Sequence, residues 1–413
     1  MLVRAALLSS VIAACAGSAF APPTASVPSA AAASIDGRIA FASSRSGPGE
    51  DIFTMLPDGS HLRQLTTGRG ADQQPTWSPD GKFIAFSSDR VPSFQGDIYV
   101  MRADGSDLRR LTHDPDPDIQ PSWSPDGRRI AFVRAIHGYD QIYVVHADGT
   151  GLRRLTGRHK EISNGAFPAW SPDGRAIAFE ATRARKNVDI YVMTPQGTHV
   201  RRLTTDRSAD VTPAWSPSGD AIVFGRGFPG NADIYVMRSD GTAVHRLTRD
   251  QAADFDPAWA PDGRKIVFTS NRSGPEEIYI MRSDGSRERD LTNNPASDTT
   301  AAWGPSCTLK GTRGEDTLRG TGSRDVICGL GGDDTIRGGG GNDVLLGGPG
   351  ADLLDGGEGQ DVVIGAGGSD SLRGGPGNDL IVSLDGVSGN DRAKGGLGRD
   401  ECLVDQGDRE AGC

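Results

Sequence analysis

The sequence predicts an all-β protein, a six-bladed β-propeller followed by a parallel β-roll. Three observations carry that expectation. Six tryptophans, Trp77, Trp123, Trp170, Trp215, Trp259 and Trp303, recur 44 to 47 residues apart. Ten aspartates from Asp316 to Asp400 follow one another at intervals of nine, with a single interval of twelve before Asp391. The 413 residues include 57 Gly and 25 Pro but only 6 % aromatics, a composition of short strands and tight turns. It disfavours a helical bundle or a doubly wound enzyme.

Residues 1–21 read as an export signal. Arg4 supplies a positive start, and residues 5–14 form an apolar stretch too short to span a bilayer. Ile12-Ala13-Ala14-Cys15 has the form of a lipobox, which makes Cys15 a candidate lipidation site. Ordinary cleavage after Ala19-Phe20-Ala21 is the competing expectation, and residues 22–34 then form a flexible tether. Either route places the mature chain in an oxidising compartment, extracellular or in the cell envelope. Membrane attachment is expected only through the lipid, because no other stretch is apolar enough for a transmembrane helix.

Residues 35–306 hold the first repeat. Around each Trp stands Pro-x-Trp-Ser-Pro-Asp-Gly or a variant of it, most degenerate at Trp303. Three further segments recur in step. One is Ile-Ala-Phe or Ile-Val-Phe, at Ile39, Ile84, Ile130, Ile177, Ile222 and Ile266. Another resembles Asp-Ile-Tyr-Val-Met, from Asp51, Asp97, Gln141, Asp189, Asp233 and Glu277. The last is Leu-Thr, at Leu65, Leu111, Leu155, Leu203, Leu247 and Leu291.

Each segment alternates as a half-buried strand does. In Ser78-Pro79-Asp80-Gly81, Pro presets the turn and Gly accepts positive φ. One unit is four short antiparallel strands, the size of a propeller blade. The chain enters at an Ile-Ala-Phe strand and leaves at a Trp strand. Trp303 is therefore expected to complete blade one and close the ring. This motif set resembles the TolB-like, WD-type propeller repeat. The resemblance implies a binding platform for proteins, not a reaction.

Residues 307–413 hold the second repeat. Gly-Gly-x-Gly-x-Asp is complete at Gly338, Gly347, Gly356, Gly374 and Gly395. Glycines let the backbone turn tightly and aim carbonyl oxygens inward, and each Asp adds an anionic oxygen. Oxygen-only ligation suits Ca²⁺ rather than Zn²⁺. Two nonapeptides make one coil, so aspartates 18 apart stack. Asp334, Asp352 and Asp370 are expected along one edge, and Asp343, Asp361 and Asp379 along the other, with Gly338, Gly347, Gly356 and Gly374 in the turns. The insertion before Asp391 is expected to break the stack.

The pattern resembles the RTX, or haemolysin-type, calcium-binding β-roll. Several Ca²⁺ ions are the implied cofactor. Because the tail is acidic and poor in apolar residues, its folding is expected to depend on the ion. The cysteines Cys307, Cys328, Cys402 and Cys413 bracket the tail. Of three pairings, the local one, Cys307–Cys328 with Cys402–Cys413, staples both ends. A zinc site is the weaker alternative, since the tail has neither CxxC nor His.

The formal net charge of −10 is concentrated in the tail, where 19 acidic residues face 10 basic ones. Without a net basic field, a nucleic-acid partner is not expected. Gly-x-Ser-x-Gly, a Walker loop and HExxH are all absent, so no enzyme activity is expected from motifs. Asp72, Asp118, Asp210, Asp254 and Asp298 each lie five residues before a repeat Trp. They either ring one mouth of the channel, ready for a cation or basic peptide, or cap their own turns. The functional expectation is an exported calcium-binding protein whose propeller docks a protein or envelope partner. The alternative is a propeller hydrolase or lyase acting on extracellular glycan or peptide.

Overall fold

A computed structural model describes residues 37–413 apart from 48, 69, 92–95, 158–161, 184–186, 228–229, 323, 384–386 and 388. The export signal, Cys15 and the tether lie outside the described residues. Among the described residues there is no helix, only strands and turns.

The first part of the chain builds six four-stranded antiparallel sheets. Blade two shows the pattern: β4 (Asp72–Trp77), β5 (Phe83–Ser88), β6 (Asp97–Arg102) and β7 (Arg109–Arg110). Blade one comprises β1 (Ile39–Ser43), β2 (Asp51–Met55) and β3 (Arg63–Gln64), and takes its fourth strand from β24 (Asp298–Trp303). Ile39 pairs with Trp303 and Ser43 with Asp298, so the last Trp strand closes the ring as the repeat phase requires.

The repeated residues have repeated physical roles. Phe41, Phe86, Phe132, Phe179, Phe224 and Phe268 are all fully buried. Each packs on the aromatic ring of the next strand, for example Phe86 on Tyr99 at 6.0 Å. The Leu-Thr threonines tie the outer strand to the blade. Thr66, Thr112, Thr156, Thr204, Thr248 and Thr292 each accept from the backbone N–H of an Ile 14 residues earlier, at 2.8–3.0 Å. The turn after Trp77 closes through Gly81 N–H donating to the Ser78 carbonyl, with Gly81 at φ 69.

From Leu309 onward the chain coils into two six-stranded parallel sheets. The first contains Leu309–Lys310, Val326–Cys328, Val344–Pro349, Val362–Gly367, Leu380–Ser383 and Glu401–Val404. The second contains Thr317–Arg319, Thr335–Gly340, Leu353–Glu358, Ser371–Pro376, Arg392–Leu397 and Arg409–Ala411. Central residues of each strand, from Ile327 and Ile336 to Ile381 and Ala393, fill the core between the sheets.

Equivalent residues pair 18 apart, up to Ser371 in the second sheet and Leu380 in the first. Contrary to expectation, the insertion before Asp391 does not break the stack. Ser371 pairs with Arg392 and Leu380 with Glu401, 21 residues on. The strand ending at Ser383 and the one beginning at Arg392 both keep their partners, so the ladder resumes in register across the insertion. Disulfides join Cys307 to Cys328 and Cys402 to Cys413, the local pairing.

Propeller and roll lie in one compact unit spanning residues 33–413. Arg128, in the turn after Trp123, links the two. Its guanidinium donates to the Asp379 carbonyl at 3.3 Å and pairs with Glu401 at 3.2 Å.

Candidate functional site

The roll's aspartates form a continuous ladder. Asp343 N–H donates to Oδ1 of Asp361 at 2.8 Å, and Asp361 N–H donates to Oδ1 of Asp379 at 2.9 Å. The other edge repeats this from Asp316 through Asp334, Asp352 and Asp370. Both edges continue past the insertion, to Asp391 and Asp400. Asp400 was not foreseen as a member, although its complete Gly-Gly-x-Gly-x-Asp copy and return to nine-residue spacing were signals for it.

Only one oxygen of each carboxylate is used in the ladder. Oδ2 of Asp334, Asp343, Asp352, Asp361, Asp379 and Asp400 is buried and accepts no hydrogen bond. These oxygens meet the backbone at the first glycine of each turn. A Cβ on Gly356 would collide with Asp361 Oδ2 and stand 2.6 Å from the Gly374 carbonyl oxygen. Gly338 is crowded by Asp343 Oδ2 and the Gly356 carbonyl, Gly347 by Asp352 Oδ2 and the Gly365 carbonyl, and Gly374 by Asp379 Oδ2 and the Gly395 carbonyl. Only glycine leaves room for both the carboxylate and the carbonyl at these points.

Such a cradle is expensive without a cation. An unpaired buried carboxylate loses hydration that nothing replaces. Burial accordingly raises Asp343, Asp352 and Asp379 to about 6 and Asp361 to about 7, with repulsion from neighbouring aspartates adding to it. Asp334 is raised by the same causes.

The donor set is hard oxygen, carbonyl and carboxylate mixed, which fits Ca²⁺. Among the described residues no three acidic, His or Cys side chains converge on one point. A cation here would therefore be held largely by backbone carbonyls, with carboxylates from successive turns. When bound it would neutralise the stacked charges, and Oδ2 and the glycine carbonyls would hold it.

The propeller's five aspartates have a different setting. Asp72, Asp118, Asp210, Asp254 and Asp298 are buried, and each is bound to an arginine. Asp118 receives two hydrogen bonds from Arg134, at 2.6 and 2.7 Å. Asp210 pairs with Arg226 at 2.6 Å, Asp254 with Arg272 at 2.8 Å, Asp72 with Arg90 at 2.6 Å and Asp298 with Arg45 at 2.5 Å. Each of these guanidiniums also lies over a core aromatic ring, as Arg134 does over Tyr143 at 5.0 Å. Neither a ring of free carboxylates nor a set of turn caps is what the geometry provides. The arginines stand two or four residues after the core Phe, an offset that hid them from the repeat alignment.

The channel is lined instead by the residue three before each Trp. Gln74, Gln120, Phe167, Thr212, Asp256 and Thr300 surround a cavity of about 140 Å³. All six have positive φ, 48 to 56°. This left-handed residue makes the bulge seen in each inner strand, as between Gln73 and Thr76.

The N–H groups so turned are taken up by neighbouring blades. Gln120 N–H donates to Gln74 Oε1 at 3.0 Å, Phe167 N–H to Gln120 Oε1 at 2.9 Å, and Gln74 N–H to Thr300 Oγ1 at 3.3 Å. Phe167 has no acceptor to offer, so Glu180 reaches in and accepts from Thr212 N–H at 2.9 Å. Burial raises Glu180 to about 7, helped by repulsion from Asp256 and Asp140. Burial alone raises Asp256 to about 6. Sequence reading missed both, because neither position keeps its residue type from blade to blade.

Comparison with known proteins agrees with both halves. Residues 92–167 and 227–309 match the TolB beta propeller domain. Residues 310–345, 329–363, 346–381 and 383–408 match the RTX calcium-binding nonapeptide repeat. A segment of 41 residues is 46 % identical to a Protein TolB homolog of Chlorobium luteolum, spanning 10 % of this chain and 9 % of that relative's length. TolB from Acinetobacter baumannii superimposes with a TM-score of 0.58 at 23 % identity, over 66 % of this chain and 67 % of that one. The structure of a protein named putative TolB, from Agrobacterium tumefaciens, gives 0.50 at 22 % identity, over 66 % of this chain and 99 % of that one. These structural likenesses are of fold.

Proposed function

We propose, from the premise that this chain carries a TolB-like propeller and RTX calcium-binding repeats, that it is an exported protein whose tail is ordered by several Ca²⁺ ions. The propeller then presents a face to a protein or envelope partner. The observation that carries the calcium reading is the row of buried Oδ2 atoms, each beside a glycine carbonyl and without a hydrogen bond. Extracellular modules bind calcium at about 0.1–1 mM, so the ion would order the roll only after export. Arg128 would pass that order to the propeller, since it holds the Asp379 carbonyl directly.

The test is a calcium titration of the mature protein, followed by far-UV circular dichroism and heat release. A cooperative gain of β signal with several ions bound supports the reading. No binding up to about 10 mM overturns it.

One observation favours a second reading, a channel hydrolase or lyase. Glu180 and Asp256 are two acids held near neutral pKa at the same channel, the protonation range that general acid–base chemistry uses. Turnover of a glycan or peptide that is lost in Glu180→Gln would support it. No turnover with either substrate class would overturn it.

A further inference from the structure

The two sheets of the roll have opposite outer faces. On the first, Val326, Val344, Val362 and Ile364 are buried in an apolar cluster with Cys328. On the second, the outward residues include six exposed bases, set among Thr335, Leu353, Asp355 and Ser371. Arg319, Arg337, Arg373, Arg392, Lys394 and Arg409 all lie there, on strands that pair in register. Asp355 and Glu410 are the acids beside them, and among the described residues only Arg373 has an acidic partner, Asp355 at 3.9 Å. A shallow groove of about 540 Å³ runs over this face.

The pairing makes the charges adjacent. Arg319 stands beside Arg337, Arg373 beside Lys394, and Arg392 beside Arg409. Adjacent strands lie ~4.8 Å apart. Like charges at that distance destabilise a sheet. The tail is acidic overall, yet its ladder aspartates are buried inside the turns, Asp343 and Asp361 each 1 % exposed. With calcium neutralising them, the outer face of this sheet carries an excess of positive charge, its arginines and lysine outnumbering Asp355 and Glu410.

We infer that this face binds a linear anionic polysaccharide, laid across the strands along the roll axis. The inference rests on the proposed calcium reading, since the bases are aligned only when the roll is formed. The bases stand as neighbouring pairs about 5 Å apart, Arg319 with Arg337 and Arg373 with Lys394 in one column on either side of Asp355, and Arg392 with Arg409 in the other, a spacing that suits a polymer whose acidic groups recur every second sugar or so. Thr335, Ser371 and Asp355 add polar partners for hydroxyl groups between the bases. Residues 307–413 contain no Phe, Tyr or Trp. That leaves no aromatic anchor for a bilayer interface and no platform for stacking single-stranded bases.

The test is binding of fluorescent hyaluronate by the full mature chain in about 2 mM calcium. Neutral dextran, phosphatidylglycerol vesicles and double-stranded DNA serve as comparison probes. Circular dichroism on the same samples reports whether the roll is ordered.

The expected result is hyaluronate binding that weakens as salt rises from about 0.05 to about 0.3 M and that is absent with dextran. Combined Arg373→Gln, Arg392→Gln and Lys394→Gln is expected to weaken it about ten-fold while the calcium-induced β signal is kept. An ordered roll that ignores hyaluronate overturns the inference and leaves the calcium reading standing. So does binding that the triple variant does not weaken, or binding confined to the vesicles or the DNA. A roll that calcium fails to order is the separate failure of the calcium reading.

Discussion

The amide of Asp343 donates to Oδ1 of Asp361, 2.8 Å away and 18 residues further on. That single bond orients the carboxylate so that Oδ2 has no donor and lies against the first glycine of its own turn. The ladder thus fixes half of each carboxylate for structure and exposes the other half to a cation. Its consequences can be measured.

Protons and calcium should compete for Oδ2. Asp343, Asp352, Asp361 and Asp379 have folded values near 6 to 7, above the ordinary aspartate value of 3.8. A group raised by folding binds more protons when folded. Its contribution is present below the unfolded value and is lost as pH rises through the folded one. The metal-free roll should therefore gain stability as pH falls from about 8 to about 5, and calcium should bind more weakly over the same range. The β signal of the chelated protein, followed by circular dichroism across this window, checks it.

Asp361→Asn keeps an Oδ1-like acceptor but removes the charge. Without metal, the variant should be more stable than the parent at pH 7.5, because a buried unpaired charge is gone. With metal, its calcium midpoint should move up about ten-fold, as one anionic ligand is lost. Melting curves with and without chelator distinguish the two effects by their opposite signs.

Gly356→Ala places a methyl group where Asp361 Oδ2 and the Gly374 carbonyl converge. Relieving the clash requires the turn to shift, which should cost about 1–3 kcal/mol. The roll's calcium-dependent transition should broaden, while the propeller's own unfolding stays in place. Calorimetry of the full chain resolves these events.

Arg134 and Asp118 form a buried bidentate pair, 5 % and 0 % exposed. Arg134→Ala leaves the buried Asp118 without its cation, and should destabilise the propeller by about 3–5 kcal/mol. The double variant Arg134→Met with Asp118→Leu should recover most of that loss. Urea unfolding of the single and double variants measures the coupling.

Glu180→Gln retains an acceptor for the Thr212 N–H. Because burial and its acidic neighbours raise Glu180 to about 7, ionisation above that pH opposes folding. The variant should raise Tm at pH 8 and leave it unchanged at pH 5. Equal shifts at both values would show that packing, not charge, governs this position.

Much of this was written in the periods of the chain. A Trp every 44 to 47 residues and an Asp every nine specify blade and coil, because each repeat must bury the same face against its neighbour. The phase of the first repeat also determined that Trp303 would close the ring, and the alternation of Asp334 and Asp343 determined two edges 18 residues in period.

What the periods do not carry is where a side chain ends. The five Trp−5 aspartates looked like a ring of ligands, but arginines reached them across the sheet from positions that shift between blades. Glu180 and Asp256 occur once each, so no repeat marks them. They become neighbours only because the ring of blades brings separate strands to one channel. The basic face of the roll is likewise scattered as single residues from Arg319 to Arg409. Only the parallel register stacks them on one side, and only burial of the aspartates lets their charge be felt outside.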